Sequence, residues 1–319
     1  MQISSNSRGT HMKREDIRLP SKAAGRTIHT VIWEPEEEPR AVLQIAHGMG
    51  EYIGRYEPFA VFLCGRGIAV VGHDHLGHGE SIRVEDDRGF FADENGDAVV
   101  IQDMKTVTLE AKRRYPGLPV FLLGHSMGSF FARRYLAAAG GELAGAIVAG
   151  TGWVPVSVAS VGLRIARTVC RTKGDRSLSP TLDHLVLGGS MKAFPAEGRM
   201  AWLSTDPATT AAYEADPLCG IPFTAGAYRD FFAVMKSVAR GEDFDGIRRT
   251  LPILIVSGER DPVGGKQAVE KVAALYRKLD FADVTEKVFP GDRHEILNEK
   301  DRAEVYRFLA EWIEKRIRK

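Results

Sequence analysis

The sequence predicts an α/β protein: a mostly parallel sheet with helices on both faces, interrupted once by a long helical insertion. Three observations carry this. Short apolar runs at 41–46, 68–71, 120–123, 144–149 and 252–257 alternate with segments of helical period, the pattern of buried parallel strands and their crossover helices. Between 156 and 246 no apolar strand run occurs, and that stretch is too long for an ordinary connection. The run at 120–123 passes into Gly124-His125-Ser126-Met127-Gly128 and then into an Ala/Leu-rich helical segment, a sharp strand-turn-helix junction.

In chain order, 27–33 alternates in polarity and reads as an edge strand, and 35–39, with three Glu between two Pro, is a turn. A more buried strand at 41–46 ends in the glycine-rich His47-Gly48-Met49-Gly50. A helix is expected from about 56 to 64, closed by Gly65 and Gly67, since glycine readily takes the conformation that ends helices. Residues 68–71 form the next strand; 97–114 reads as a helix stopped by Pro116-Gly117. The helix after Gly128 ends near Gly140-Gly141, and 144–149 is a strand. In the insertion, 156–170, 206–213 and 227–239 read as helices and 188–195 as a loop. The strand at 252–257, a helix to about 279, a strand at 283–289 and a final amphipathic helix at 300–317 complete the pattern. Residues 1–12, polar and containing Gly-Thr-His-Met, read as an expression-tag remnant. The expected organisation is a core of 13–152 and 246–319 with a helical cap at 153–245.

Bulk properties exclude several functions. The 319 residues are 44% hydrophobic and 27% charged with a net charge of +1, so nothing draws the chain to nucleic acid or to a strongly anionic surface. Cys64, Cys170 and Cys219 are odd in number and widely spaced, which argues for a reducing compartment and against structural zinc. With no apolar leader and no span of about 18 apolar residues, a cytoplasmic protein is expected, with at most peripheral contact with lipid. Oligomeric state is not legible.

The glycine-flanked Ser126 fits a nucleophile elbow: a tight turn stands the hydroxyl proud of the sheet, and the next helix points its positive end at the site. A serine nucleophile needs a base, an acid to orient that base, and donors for an oxyanion. These belong past the C-terminal ends of strands. Asp261 follows 252–257 and His294 follows 283–289, and the order Ser, Asp, His is that of α/β-hydrolases. Glu259 and Asp292 are rival acids; the Asp-Pro-Val-Gly turn favours Asp261. His47, His73, His75, His78 and His125 are rival bases, but all precede Ser126 in the chain. The backbone N–H groups of Met127 and Met49 are the expected oxyanion donors. His73, Asp74, His75 and His78 lack the spacing of a standard metal motif, so no metal is expected, and Asp74 is expected to tie its loop to backbone N–H groups near the oxyanion turn.

Further motifs carry a resemblance. His47-Gly48-Met49-Gly50-Glu51 with Arg55-Tyr56, Asp74-His75-Leu76-Gly77-His78-Gly79-Glu80-Ser81, the elbow region 116–128 and Asp216-Pro217-Leu218 resemble the monoacylglycerol lipase and lysophospholipase family, with its serine aminopeptidase S33-type hydrolase domain. The resemblance covers most of the chain after residue 12 and is weak over about 152–200. It implies an α/β-hydrolase with a helical cap, acting on carboxylic esters with one acyl chain, without a cofactor. It supports Ser126, Asp261 and His294 as a triad with Met49 and Met127 as oxyanion donors. Tyr52 and Ser129 depart from the pattern, which often has His and Gly there.

The expected partner is a small-molecule acyl ester such as a monoacylglycerol or lysophospholipid. Because His294 must be neutral to act, activity should fall on acidification. The same triad serves aryl esters, thioesters and amide bonds, and a non-hydrolytic enzyme or a binding-only relative remains open, because fold does not fix function. Val158, Val161, Ile165 and Val169 share a helix face and are candidates to line an acyl tunnel or touch lipid, or simply to pack on the core. Cys219 is a candidate to sit near the pocket, with a structural role as its default.

Overall fold

The computed structural model describes residues 12–241 and 247–317. Its centre is an eight-stranded sheet. The strands are β1 (Met12–Pro20), β2 (Thr27–Pro35), β3 (Ala41–Ala46), β4 (Ile68–His73), β5 (Val120–His125), β6 (Gly145–Ala149), β7 (Ile253–Gly258) and β8 (Val284–Phe289). They lie in the order β1-β2-β4-β3-β5-β6-β7-β8. The β1–β2 and β2–β4 pairs are antiparallel and the rest parallel.

The helices between strands are α1 (Glu57–Cys64), α2 (Gly96–Arg114), α3 (Met127–Ala139), α4 (Val156–Lys173), α5 (Pro180–Met191), α6 (Pro207–Ala215), α7 (Ala225–Arg240), α8 (Gly265–Lys278) and α9 (Arg302–Ile317). Strand alternation divides the apolar residues between two layers. Val120 and Leu122 of β5 join a core with Met104 of α2, Phe131 of α3 and Val272 of α8. Phe121 and Leu123 face the other way, against Phe59 of α1 and Leu309 and Ile313 of α9. Burial on both faces is why β3 to β7 read as apolar runs.

Chain order places the site. From β3 the chain steps to β4 on one side, then returns to β5 on the other side of β3. Connections therefore leave β3 and β5 in opposite directions and open a crevice at their C-terminal ends, where ligands bind in such sheets. Ala46 pairs with Gly124 at that edge, so the loop after β3 and the turn after β5 face each other.

Some sequence expectations are corrected. The strand at 27–33 is not an edge: β1 covers it, with Ile17 opposite Thr30. β1 itself escaped notice because five of its nine residues are charged and none is buried. Met12, assigned to the tag remnant, opens β1; residues 1–11 lie outside the described residues. The loop expected at 188–195 begins later, because α5 continues through Gly188 and Gly189 to Met191. Ser179 caps that helix by accepting from the Leu182 N–H, and Pro180 supplies its first turn, a strong start that carries the helix past its glycines. The expected boundary at 245–246 lies outside the described residues.

Candidate active site

Ser126 stands between β5 and α3 with φ 52° and ψ −120°, a conformation that costs a non-glycine residue about 1–3 kcal/mol. Its surroundings force the turn. A Cβ on Gly124 would meet the Gly128 carbonyl oxygen at 2.4 Å, and one on Gly128 would meet that of Ala46 at 2.2 Å. Both obstacles are backbone, so the elbow admits only glycine there. The Met127 N–H opens α3, where backbone donors lack intrahelical partners, and the Met49 N–H has no hydrogen bond to a described residue.

Asp261 and His294 meet past the ends of β7 and β8. His294 Nδ1 lies 2.9 Å from Asp261 Oδ1, and both residues are buried. A carboxylate only accepts, so Nδ1 carries the proton and the neutral ring keeps its lone pair on Nε2. That nitrogen is buried and makes no hydrogen bond among the described residues. Burial works against ionising Asp261, but His294, the Val263 N–H at 2.9 Å and the Ser257 hydroxyl at 2.8 Å overcome it and hold the carboxyl below its usual range. The rival acids go elsewhere. Glu259 accepts from the Gly291 N–H, and Asp292, pushed up to about 7 by burial and by Asp301, makes no bond to His294.

Ser126, His294, Met49 and Gly48 line one cavity of about 220 Å³ with Glu51, His125, Asp183, Leu187, Met191 and Trp202. The His294 ring sits between His125 and Trp202, each with its ring centroid 4.9 Å away.

The serine aminopeptidase S33 family model matches residues 37–301. The chain belongs to that family. It is 31% identical to a monoacylglycerol lipase of Mycolicibacterium smegmatis over 88% of this chain and 91% of that one. It is 28% identical to human monoglyceride lipase over 95% and 91%. A carboxyl esterase from Bacillus coagulans, solved with glycerol, superimposes with a TM-score of 0.87 at 28% identity, covering 96% of this chain and 99% of that one. The fold is that of the α/β-hydrolases.

In this S33 protein the rings of His47, His78 and His125 have hydrogen-bond partners other than Ser126. His47, His73, His75 and His78 are buried, and desolvation takes His73 and His78 down to about 3. His47 Nε2 accepts from the His75 N–H, so its Nδ1 donates to the Gly48 carbonyl 2.8 Å away. Among the described residues no cluster suits a metal ion. Asp74 accepts from the Ile53 and Glu80 N–H groups, both at 2.8 Å.

A buried charge network that sequence reading missed surrounds the loop after β3. Glu51 Oε1 accepts from the Gly48 N–H at 2.6 Å and the Tyr56 hydroxyl at 2.8 Å, and faces His125 Nδ1 at 3.1 Å. Arg55 donates to Glu51 at 2.7 Å and grips both oxygens of Glu295, each at 2.7 Å. Glu295 adjoins His294, so the loop after β3 is fastened to the loop after β8. Glu51 and Arg55 were visible as motif letters, but Glu295, 240 positions away, gave no signal.

Arg293 performs a similar fastening. Its guanidinium donates to Glu197 at 2.7 and 2.8 Å and to the Ala201 carbonyl at 2.6 Å, and lies 3.7 Å from the Phe194 ring centroid. Tyr52, a departure from the family pattern, donates to Asp216 at 2.8 Å. The Ser129 hydroxyl, the other departure, donates to the Ser126 carbonyl. Val158 and Val161 are each 51% exposed, while Ile165 and Val169 pack on the core; none of the four lines the cavity. Cys219 packs on the Trp202–Leu203–Tyr213 cluster. No helix among the described residues is long and apolar enough to cross a membrane.

Proposed function

We propose that the protein is a serine hydrolase of carboxylic esters with a single acyl chain, of monoacylglycerol or lysophospholipid type. The observation that carries this is the His294–Asp261 contact of 2.9 Å, which leaves Nε2 without a partner in the cavity shared with Ser126. The named lipases and the esterase among its relatives support the same reaction class.

In the proposed cycle, Ser126 Oγ attacks the ester carbonyl carbon while His294 Nε2 takes its proton. Asp261 holds the imidazole in the required tautomer and balances the imidazolium. The N–H groups of Met49 and Met127 receive the oxyanion, a contribution worth on the order of 10²–10³ in rate for one such donor. The carbon–oxygen bond to the leaving alcohol breaks as that oxygen takes the proton from His294. Water then adds to the acyl-enzyme by the same path, releasing the acid and free Ser126. Residues 153–245 serve as a cap on the core of 13–152 and 246–319 in this reading, and they supply much of the cavity wall.

The test is a panel of monoacylglycerols, lysophospholipids, p-nitrophenyl esters, thioesters and aminoacyl amides, each run with wild type and Ser126→Ala. Ester hydrolysis that Ser126→Ala lacks is expected; preference for the amides would replace the esterase reading with a peptidase one.

A further inference from the structure

The cavity beside Ser126 has an uneven wall. Helix α5 lays Asp183, Leu187 and Met191 along it, residues four apart and therefore on one helix face. Tyr228 of α7 lines it as well, and its hydroxyl donates to Asp183. Tyr228 is fully buried and Asp183 half-buried. Leu187, Met191, Trp202 and Ile221 offer apolar contact in the same cavity. An alkyl chain long enough to fill the cavity would cover a carboxylate, stripping its water without offering a hydrogen bond, a loss of at least about 1–3 kcal/mol. Volume points the same way: about 220 Å³ falls below the roughly 300–1,000 Å³ of sites for drug-sized ligands.

We infer that this cavity selects esters of short acyl chains, butyryl to hexanoyl rather than fatty acyl, and that the Asp183–Tyr228 pair sets the upper limit. The inference rests on the reading of Ser126 as the nucleophile, and it narrows the substrate to the short end of the single-chain esters.

The test measures kcat/KM of the full chain for p-nitrophenyl esters from acetyl to palmitoyl, with active sites counted by a fluorophosphonate. The wild type should peak at butyryl or hexanoyl and fall at least about tenfold by lauroyl, since single methylene contacts are worth about 10–200-fold. D183L/Y228F replaces both partners with apolar groups, so neither is left unpaired; its ratio of lauroyl to butyryl activity should rise about tenfold. Wild-type activity that climbs through palmitoyl, or a folded double variant with an unchanged chain-length profile, would overturn the inference. The wild-type profile decides by itself if the double variant does not fold. Loss of the underlying reading shows differently: no fluorophosphonate adduct on Ser126 at any chain length, which removes both.

Discussion

His125 Nδ1 and Glu51 Oε1 lie 3.1 Å apart, both residues buried, and the opposite nitrogen of the same ring reaches the His294 carbonyl at 3.3 Å. The residue preceding Ser126 is thus tied both to the loop after β3 and to the backbone of His294. Three loops from β3, β5 and β8 meet in one polar network, with Arg55 closing it between Glu51 and Glu295.

Removing the central cation should be costly. Arg55→Met leaves Glu51 and Glu295 facing each other without their shared partner, and breaking a buried pair this way costs about 3–5 kcal/mol. Urea unfolding should show a free energy lower by that amount, read as a lower midpoint with an unchanged slope.

Such a network explains what was legible in the sequence and what was not. Ser126 and Asp261 could be listed because each follows a strand whose apolar run is visible, and His294 because it follows the strand expected at 283–289; topology alone brings strand ends together. Arg55–Glu295 could not, because two charges far apart in sequence carry no mark of their pairing. β1 was silent because a strand at the sheet edge, bearing Lys13, Arg14, Glu15, Asp16 and Arg18, buries too little apolar surface to show a period. Part of the cavity wall was sought on α4, where Val158, Val161, Ile165 and Val169 follow helical spacing, but that stripe divides between the core and solvent. The shorter α5, obscured by Gly188 and Gly189, faces the cavity instead.

The Glu51–His125 pair sets a pH window for stability. Burial opposes the charge on each, but their mutual attraction, joined at Glu51 by Arg55, wins: His125 is raised above its ordinary 6.5 and Glu51 is held well below its ordinary 4.5. The His125 contribution is complete below 6.5 and is lost as pH rises through its higher folded value. The Glu51 contribution is complete above 4.5 and is lost as pH falls through its lower folded value. The pair therefore stabilises most between 4.5 and 6.5. Plotted against pH, Tm of His125→Asn should lose part of the wild-type decline on the alkaline side; identical slopes would refute the assignment.

Asp261→Asn keeps the shape of the acid but presents an amide to His294 Nδ1, which favours the wrong tautomer. The kcat for an ester should fall by on the order of 10⁴, with Tm nearly unchanged. A fall of tenfold or less would mean that another group orients the base.

Ser126→Gly separates strain from chemistry. Relief of the backbone strain is worth about 1–3 kcal/mol, against an entropy cost of roughly 0.5–1 kcal/mol for glycine. The variant should melt higher than wild type, by about 1 kcal/mol of stability, and have no esterase activity. A lower Tm would show that the turn is not strained in solution.

The account turns on Ser126 as the attacking atom. The most direct measurement is peptide mapping by mass spectrometry after the full chain is treated with a fluorophosphonate. One adduct per chain, on the peptide containing Ser126 and absent from His294→Ala, is predicted. Stoichiometric labelling at another residue, or none in a folded preparation that still hydrolyses esters, would contradict it.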